Sequence, residues 1–202
     1  MEFITEENSE KKLYNIEYNI AYIAYNNYLQ LFLDKNNLLH SFSSNKISFQ
    51  ANSLQSLDDY IKTQFLNEDN LKKFIYDLGS QILFLKENGI KIPYFSLGDI
   101  IIINHNNFLF INSKKLIKKR VEGDIISRIE GISSVDFIPP ELLEKKDINI
   151  SHIHYSSAYY SLAKLILYVF DFILENLYYT NVYFFLNRCL KDDPLKRDFL
   201  YI

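Results

Sequence analysis

Residues 186–197, LNRCLKDDPLKR, decide how the rest of the sequence is interpreted. Their apolar residues complete the pattern of a last helix, and the run Asp-Asp-Pro after Leu190 marks the loop that follows it. We expect Cys189, which lies within the apolar helical pattern, to be buried in the core. The spacing of Cys, Leu, Asp, Pro and Arg in this stretch is a specific pattern. The other motifs of the chain are therefore interpreted together with it.

The composition indicates one folded domain, or one and a fraction, with a sizeable core. The chain has 202 residues, of which 48% are hydrophobic and 16% aromatic, and this argues against disorder. Its net charge of −3 gives no general attraction to nucleic acid, so no nucleic-acid partner is expected. The single cysteine excludes an internal disulfide and fits a reducing compartment.

We expect no targeting or membrane segment. The start, MEFITEENSEKK, is polar and acidic, and lacks the basic flank and apolar core of a signal peptide. The longest apolar stretch, LAKLILYVFDFIL, is interrupted by Lys164 and Asp171 and is too short to span a bilayer. These observations predict a cytoplasmic protein without a membrane partner.

The residue choice is skewed towards Asn, Ile, Lys, Tyr and Phe, which AT-rich codons encode. An AT-rich microbe and a large DNA virus would both produce this skew, and for a viral chain the expected location is the host cytoplasm or the virion. Only five glycines occur, and no G-x-G is among them. A glycine-rich loop that cradles phosphate groups is therefore not expected.

The first third of the chain has the pattern of a helix followed by a hairpin. A tyrosine-rich helix is predicted over about 14–33, because apolar residues recur with a helical period. This apolar stripe consists of Ile16, Ile20, Ile23, Ala24 and Leu31. The runs LLHSF and KISFQA, separated by SSN, predict a β-hairpin.

Two further helices and a second hairpin are predicted next. Ser56 caps a short helix, and the longer helix after it ends at Gly89. The longer helix has one apolar face, formed by Leu71, Phe74, Leu78, Ile82 and Leu85. The run 98–112, GDIIIINHNNFLFIN, predicts two strands joined by a turn. A polar loop over 114–136 and further helices follow, so the predicted fold class is α+β, mostly helical towards the C-terminus.

This order of elements, together with its motifs, resembles the protein-kinase fold. The hairpin 98–112 is similar to the strands that bracket a kinase catalytic site, and DFIPPELL (136–143) resembles the A-P-E motif. AYYSLAKLILYVF (158–170) is similar to the kinase helix written D-x-W-S-L-G-x-x-L-Y. CLKDDPLKR (189–197) matches the pattern C-L-x-x-D-P-x-x-R at every defined position. The resemblance covers about residues 53–202.

The resemblance implies a domain organisation and one structural ion pair. Residues 1–52 would form a reduced N-lobe, made of a helix and a β-hairpin, and residues 53–202 a mostly helical C-lobe. Glu141, in the position of the A-P-E glutamate, would form a buried ion pair with Arg197 of the closing motif. The alternative is that the two residues are unrelated surface charges.

The same resemblance, extended by register, places degenerate residues at the catalytic positions. Phosphoryl transfer needs a lysine on the phosphates, carboxylates for Mg²⁺ and an aspartate that faces the substrate hydroxyl. The aspartate position falls on Tyr94, which is neutral at pH 7 and a poor proton acceptor. Asp99 falls where kinases have a metal-binding asparagine, and it could still bind a cation. The D-F-G position falls on Asn112, which lacks the charge that holds Mg²⁺, and Lys114 adds a repulsive one.

The N-lobe equipment of a kinase is also expected to be missing. The helix predicted over 14–33 and the hairpin after it would correspond to kinase helix C and the two strands that follow. Nothing before them matches a glycine-rich loop or a V-A-I-K strand, so Glu17, which imitates the helix C glutamate, would have no lysine partner. We therefore expect neither a bound nucleotide nor a cofactor.

Three other features have a functional and a plainer interpretation. A basic run could grip an acidic partner, a phosphate group or RNA, or could be a solvated loop; it contains Lys114, Lys115, Lys118, Lys119 and Arg120. His152 and His154 alternate as a metal-binding pair would, but no Cys or third His completes the set, so no metal site is predicted. The tyrosines of the first helix form either an exposed binding stripe or part of the packing against the C-lobe.

Together these features lead to the hypothesis of a catalytically inactive kinase-like domain, a pseudokinase. It would bind another protein, such as an active kinase or a component of an assembly, as a scaffold or regulator. One alternative is an atypical phosphotransferase that uses Asp99 with Asp124 or Asp136 from the long loop. Another alternative is a structural virion component that has inherited the fold.

Overall fold

Helices and short strands alternate along the chain in the computed structural model. It describes residues 11–17, 21–43, 46–118, 137–143 and 153–200. The α-helices are α1 (Ile23–Lys35), α2 (Leu57–Thr63), α3 (Glu68–Glu87), α4 (Pro140–Leu143), α5 (Ser157–Val169) and α6 (Asn181–Cys189). The strands are β1 (Lys12–Glu17), β2 (His40–Phe42), β3 (Lys46–Ala51), β4 (Leu54–Ser56), β5 (Ile90–Lys91), β6 (Ile100–Ile103), β7 (Asn107–Phe110) and β8 (Ile117–Lys118). The predicted α+β class is confirmed.

The described strands form three small antiparallel sheets. The first has the order β1-β3-β2, the second β4-β6-β7, and the third consists of β5 and β8. Both predicted hairpins are present, as β2–β3 and β6–β7. In the turn between β6 and β7, Asn104 and His105 have positive φ angles of 52° and 62°. Asn and His are among the residues that tolerate this conformation best, which explains why the sequence NHNN forms the turn.

The helix predicted over 14–33 is wrong at its N-terminal end. Residues Lys12–Glu17 form β1, which pairs antiparallel with β3. Tyr14 and Ile16 are buried and alternate with more exposed neighbours, as in a half-buried strand. The helix α1 begins only at Ile23. Pairing with a distant strand decides the conformation of this segment, and a local helical period does not reveal such pairing.

The tyrosines of α1 belong to the core rather than to an exposed stripe. Tyr25 and Tyr28 are buried, and their hydroxyls donate to backbone carbonyls of β7 (3.3 Å) and α3 (3.1 Å). Burial raises the pKa of Tyr25 far above its usual range. By contrast, Ile23 and Leu31, which the predicted apolar stripe placed inside, are 70% and 53% exposed. The helix therefore packs through a mixed aromatic and aliphatic face that differs from the predicted stripe; it includes Tyr25, Tyr28, Leu29, Phe32 and Leu33.

The long helix α3 is held at both ends by local sequence. Asn67 and Asn70 form a reciprocal cap, in which each side-chain oxygen accepts from the backbone N–H of the other at 3.0 Å. The whole predicted apolar face is buried: Leu71, Phe74, Leu78, Ile82 and Leu85. Gly89, just after the helix, has a φ of 71°, the left-handed conformation that commonly ends helices.

Side chains of α3 also cover the open edge of β7. Asp77 Oδ2 accepts from the backbone N–H of Phe108 at 3.1 Å. Gln81 accepts from the N–H of Phe110 at 3.0 Å and donates to its carbonyl at 2.9 Å. Lys73 Nζ lies 2.6 Å from Asp77 Oδ1 and balances its charge. Because buried backbone groups need partners, these two side chains take the place of a further strand.

The C-terminal helices complete a core that extends along the chain. One cluster of buried side chains runs from Tyr14 in the first sheet to Phe199, so residues on both sides of position 52 share it. Cys189 is buried at the end of α6, and burial raises the pKa of its thiol to about 12. A smaller cluster consists of Tyr94, Ile138, Leu142 and Ile153. None of the helices described is long and apolar enough to cross a membrane.

Candidate functional site

The candidate site lies where the two flanks of the β6–β7 hairpin meet. A turn of 3-10 helix, Leu97–Asp99, leads into β6, and another, Ser113–Lys115, follows β7. The backbone N–H of Ile111 donates to the carbonyl of Asp99 at 2.8 Å. The hairpin therefore brings together two segments that both carry candidate residues from the sequence.

The carboxylate of Asp99 is bound on both oxygens by groups of the protein. The side-chain amide of Asn112 donates to Oδ1 at 2.7 Å. Lys115 Nζ lies 2.6 Å from Oδ2, which also accepts from the backbone N–H of Ser96 at 2.8 Å. The Asp99 side chain is only 5% exposed and that of Lys115 only 20%. The result is a buried ion pair with its own network of hydrogen bonds.

Lys115 is further held by two neighbours. Its ammonium donates to Ser96 Oγ at 2.7 Å and lies 4.1 Å from the centre of the Tyr94 ring. The face of an aromatic ring attracts a cation, so Tyr94 adds to the stabilisation of the lysine. Tyr94 itself is buried in the small cluster with Ile138 and Leu142. It contributes an apolar wall and a π face next to the ammonium.

The arrangement disfavours binding of a divalent cation at Asp99. Mg²⁺ and Ca²⁺ need several oxygen ligands, usually with water completing the shell. Here the ammonium of Lys115 already occupies the side of Asp99 where such a cation would be attracted. Within the described ranges, no group of three or more His, Cys, Asp or Glu side chains is arranged to hold a metal ion. The expectation that Asp99 could still take a cation is therefore not favoured by its surroundings.

The basic run predicted as a binding patch is divided by the fold. Lys114 and Lys118 are exposed. Lys115 does not belong to this exposed patch, because its ammonium forms an ion pair with the buried carboxylate of Asp99. Lys119 and Arg120 lie outside the described residues. The expectation of one continuous patch is thus corrected for Lys115.

Several other candidate residues are placed differently from the expectation or lie outside the described ranges. Glu17 is the exposed last residue of β1 and does not belong to a helix, because α1 begins later. His154 Nδ1 lies 2.7 Å from Ser156 Oγ, a contact within its own loop. His152, Asp124 and Asp136 lie outside the described residues.

Glu141 and Arg197 lie together as a two-pronged ion pair. Arg197 Nη1 donates to Glu141 Oε1 at 2.6 Å, and Nη2 donates to Oε2 at 2.7 Å. The guanidinium also donates to the backbone carbonyls of Lys191 (2.6 Å) and Asp192 (2.8 Å), and lies 4.8 Å from the centre of the Tyr160 ring. The arginine side chain is fully buried. This pair joins α4 to the loop after α6.

The surroundings of Glu141 favour its charged form. Burial alone would raise the pKa of the carboxyl, but hydrogen bonds from Arg197 and from the Ser157 hydroxyl, at 2.7 Å, outweigh it. The pKa of Glu141 therefore lies below its usual value. The role of this pair is structural, since it joins α4 to the loop after α6 and its groups are bonded to each other.

The pairing of Asp99 with Lys115 is the feature that sequence reasoning missed. Sixteen positions separate the two residues, which is too far for a helical or strand spacing to indicate contact. The predicted hairpin was the one feature of the sequence that could have indicated this contact. Since the ends of an antiparallel hairpin lie side by side, residues just before β6 and just after β7 must be neighbours.

Two comparisons with known proteins found no relative of this chain. No protein-family model matches the chain. A search of curated proteins likewise found no match. Functional inference therefore depends on the residues and on the geometry described above.

Proposed function

We propose that the protein is a catalytically inactive kinase-like domain that acts by binding another protein. The observation that carries the proposal is the closed Asp99–Lys115–Asn112 cluster at the position where a kinase would hold Mg²⁺. An active phosphotransferase needs metal-binding carboxylates that are free to bind the ion and the nucleotide phosphates. Here the one carboxylate in the cluster is neutralised internally.

The arrangement of elements supports the kinase-like part of the proposal. The motif-bearing segments follow one another in the order that the resemblance implies, from the long helix α3 through the β6–β7 hairpin to α5 and the loop after α6. The ion pair between Glu141 and Arg197 has the partners that the resemblance implies. These similarities concern the architecture of a kinase. They do not involve the residues that carry out phosphoryl transfer.

The first strand, β1, supports the proposal that the domain is catalytically inactive. The strand β1 lies before the first helix, in the part of the sequence where the resemblance found no match to a V-A-I-K strand. The single lysine of β1, Lys12, is its exposed first residue. Glu17, at the other end of the strand, is exposed as well. In an active kinase, by contrast, the lysine that binds the phosphates is held by an ion pair with a glutamate of the following helix.

A thermal-shift titration with ATP and ADP, with and without Mg²⁺, tests the proposal. A bound nucleotide raises the melting temperature by mass action, with about 2.7 kcal/mol of stabilisation at a hundredfold excess over its dissociation constant. We expect no shift at millimolar nucleotide. A shift that requires Mg²⁺ and disappears in the variant Asp99→Ala would overturn the proposal in favour of an atypical phosphotransferase.

The binding part of the proposal needs a partner, and an active kinase or a component of an assembly are the expected classes. Co-purification from the native source, followed by reconstitution from two purified proteins, would identify it. Enrichment of the chain in purified particles would instead favour the structural virion component. Location in the cytoplasm remains a prediction that fractionation of the same source would check.

A further inference from the structure

Two side chains with complementary reactivity share the carboxylate of Asp99. The amide nitrogen of Asn112 donates to Oδ1 at 2.7 Å, and the ammonium of Lys115 lies 2.6 Å from Oδ2. A lysine amine is a nucleophile towards a carbonyl carbon, and a carboxylate within hydrogen-bond reach of both nitrogens can move protons between them. The three groups are therefore the two reactants and the proton carrier of an exchange of one amide for another.

The turn after β7 places the two reacting side chains beside each other. Asn112 precedes the 3-10 turn Ser113–Lys115, and the backbone N–H of Lys115 donates to the carbonyl of Asn112 at 3.1 Å. In a 3-10 turn, side chains three residues apart are eclipsed, so these two project in the same direction. The carbon that a lysine would attack, Asn112 Cγ, is bonded to the nitrogen that Asp99 holds. The nucleophile and its target therefore share one anchor.

The surroundings of the cluster favour such a reaction. Asp99 and Lys115 are largely buried, and the ring of Tyr94 lies 4.1 Å from the ammonium. Charges are costly in an interior with little water, so passing one proton from the ammonium to the carboxylate, which removes two charges, is less unfavourable there than in water. A primary amide is a poor electrophile, but reactants that the fold holds together need no encounter, and this lowers the barrier.

We propose that the folded chain joins Lys115 to Asn112 by an isopeptide bond, with Asp99 as general base and general acid. Asp99 accepts a proton from the ammonium, and the lone pair of the neutral amine attacks Asn112 Cγ. Asp99 returns the proton to Nδ2, the Cγ–Nδ2 bond breaks, and ammonia leaves. The extra proton on the attacking nitrogen passes to the ammonia, so ammonium is released and Asp99 ends as a carboxylate. The reaction needs no oxidant, reductant or cofactor.

The ion pair between Asp99 and Lys115 is the arrangement from which this reaction starts. Asp99 is also a conceivable electrophile, since Lys115 touches it directly, and their condensation would release water instead of ammonia. Asn112 is favoured because Asp99, the one carboxylate in the cluster among the described residues, is then left to carry the protons. The proposal is independent of the proposed function, because it concerns a reaction of the chain with itself.

Mass spectrometry of the purified full chain tests the cross-link. We expect an intact mass lower than the sequence requires by the mass of one ammonia molecule. Trypsin cleaves after Lys114, between the two linked residues, so peptide 92–114 should remain attached to peptide 115–118. A full intact mass would overturn the proposal, and so would loss of water. Separate peptides would also overturn it, because they would show that the ammonia came from ring closure at Asn112 alone.

Two variants and a matched control complete the test. Lys115→Arg keeps a cation beside Asp99 but has no amine that can attack, so it should fold and keep its full mass. Asp99→Asn cannot carry protons and should also keep its full mass. Lys114→Arg changes the exposed neighbour, retains the trypsin site and should lose ammonia as the unmodified chain does. A loss of ammonia in Lys115→Arg or in Asp99→Asn equal to that in the control would contradict the roles assigned to these residues.

Discussion

The ammonium of Lys115 and the carboxylate of Asp99 form an ion pair in surroundings from which water is largely excluded. Two charges that are taken out of water stabilise each other only when hydrogen bonds satisfy their remaining groups. Ser96 and Asn112 provide these bonds, and the Tyr94 ring faces the ammonium. The pair is therefore sensitive to the removal of either member, because the charge left behind has no water to solvate it.

Replacing Lys115 by Ala should reduce the free energy of unfolding by about 3–5 kcal/mol at pH 7, because it leaves the Asp99 carboxylate buried without a cation. Urea unfolding followed by circular dichroism measures the change. We also expect millimolar Mg²⁺ to restore part of the loss in Lys115→Ala, since the ion can then bind the vacated carboxylate. The unmodified chain should gain nothing from Mg²⁺.

Two variants control this prediction. Lys114→Ala removes an exposed lysine next to it and should change the free energy of unfolding by no more than about 0.5 kcal/mol. The double variant Asp99→Asn with Lys115→Met removes both charges and should recover most of the loss. If Lys115→Ala were as stable as Lys114→Ala, the ion pair would contribute nothing to the fold.

Between elements, the Glu141–Arg197 pair joins α4 to the loop after α6. The pKa of Glu141 lies below its usual value in the folded protein, so folding favours the charged carboxylate. A carboxyl of this kind stabilises the fold at pH values above its unfolded pKa, which is about 4.3 for Glu. The contribution is lost as the pH falls through the lower, folded-state pKa. Stability should therefore decline on acidification below about pH 4–5.

Glu141→Gln should lower the free energy of unfolding by about 3–5 kcal/mol at neutral pH, because Arg197 stays buried without its counter-charge. The difference from the unmodified chain should shrink as the pH falls through the acidic range, since protonation of Glu141 removes the same charge. Urea unfolding at a series of pH values measures both effects. Glu87→Gln, at the exposed end of α3, should follow the unmodified chain. A constant difference at every pH would contradict the assignment.

Among the helices and strands, those with a cap or a clear apolar period could be predicted from the sequence. Those that depend on contacts with distant residues could not. The cap at Ser56 accepts a hydrogen bond from the N–H of Asp59 at 3.1 Å, and the apolar face of α3 is buried as its period predicts. The strand β1 was missed because only its pairing with β3 defines it. At the site, the sequence singled out Asp99 and Asn112, and the structure brings these two side chains together. The role of Lys115 depends on a side chain that crosses between two turns, which no local pattern encodes.

At the scale of the whole molecule, the large core cluster extends from the first sheet to Phe199, so a side chain buried in it becomes exposed only when the fold opens. Cys189 can report this opening because it is the only cysteine in the chain and is fully buried. Burial also raises the pKa of the thiol to about 12, so little reactive thiolate exists near neutral pH.

We predict that a thiol reagent at pH 8 modifies Cys189 only through opening of the folded chain. In guanidinium chloride one equivalent should react at once, while the native protein should react slower by a factor that follows the population of the open form. Adding subdenaturing urea should accelerate the native reaction. Rapid stoichiometric labelling of the native protein would show that the core around α6 is not closed.

Phe199 has a consequence for the order in which this protein can be made. Its ring packs on Tyr159 and Phe185, with centroids 5.2 Å and 5.3 Å apart, and Arg197 two residues earlier reaches Glu141. A ribosome adds about 5–20 residues per second and releases the N-terminal part first. Until residue 199 has emerged, α5 and α6 expose an unfilled apolar face. We therefore expect chaperones to bind the nascent chain until Phe199 has left the ribosome.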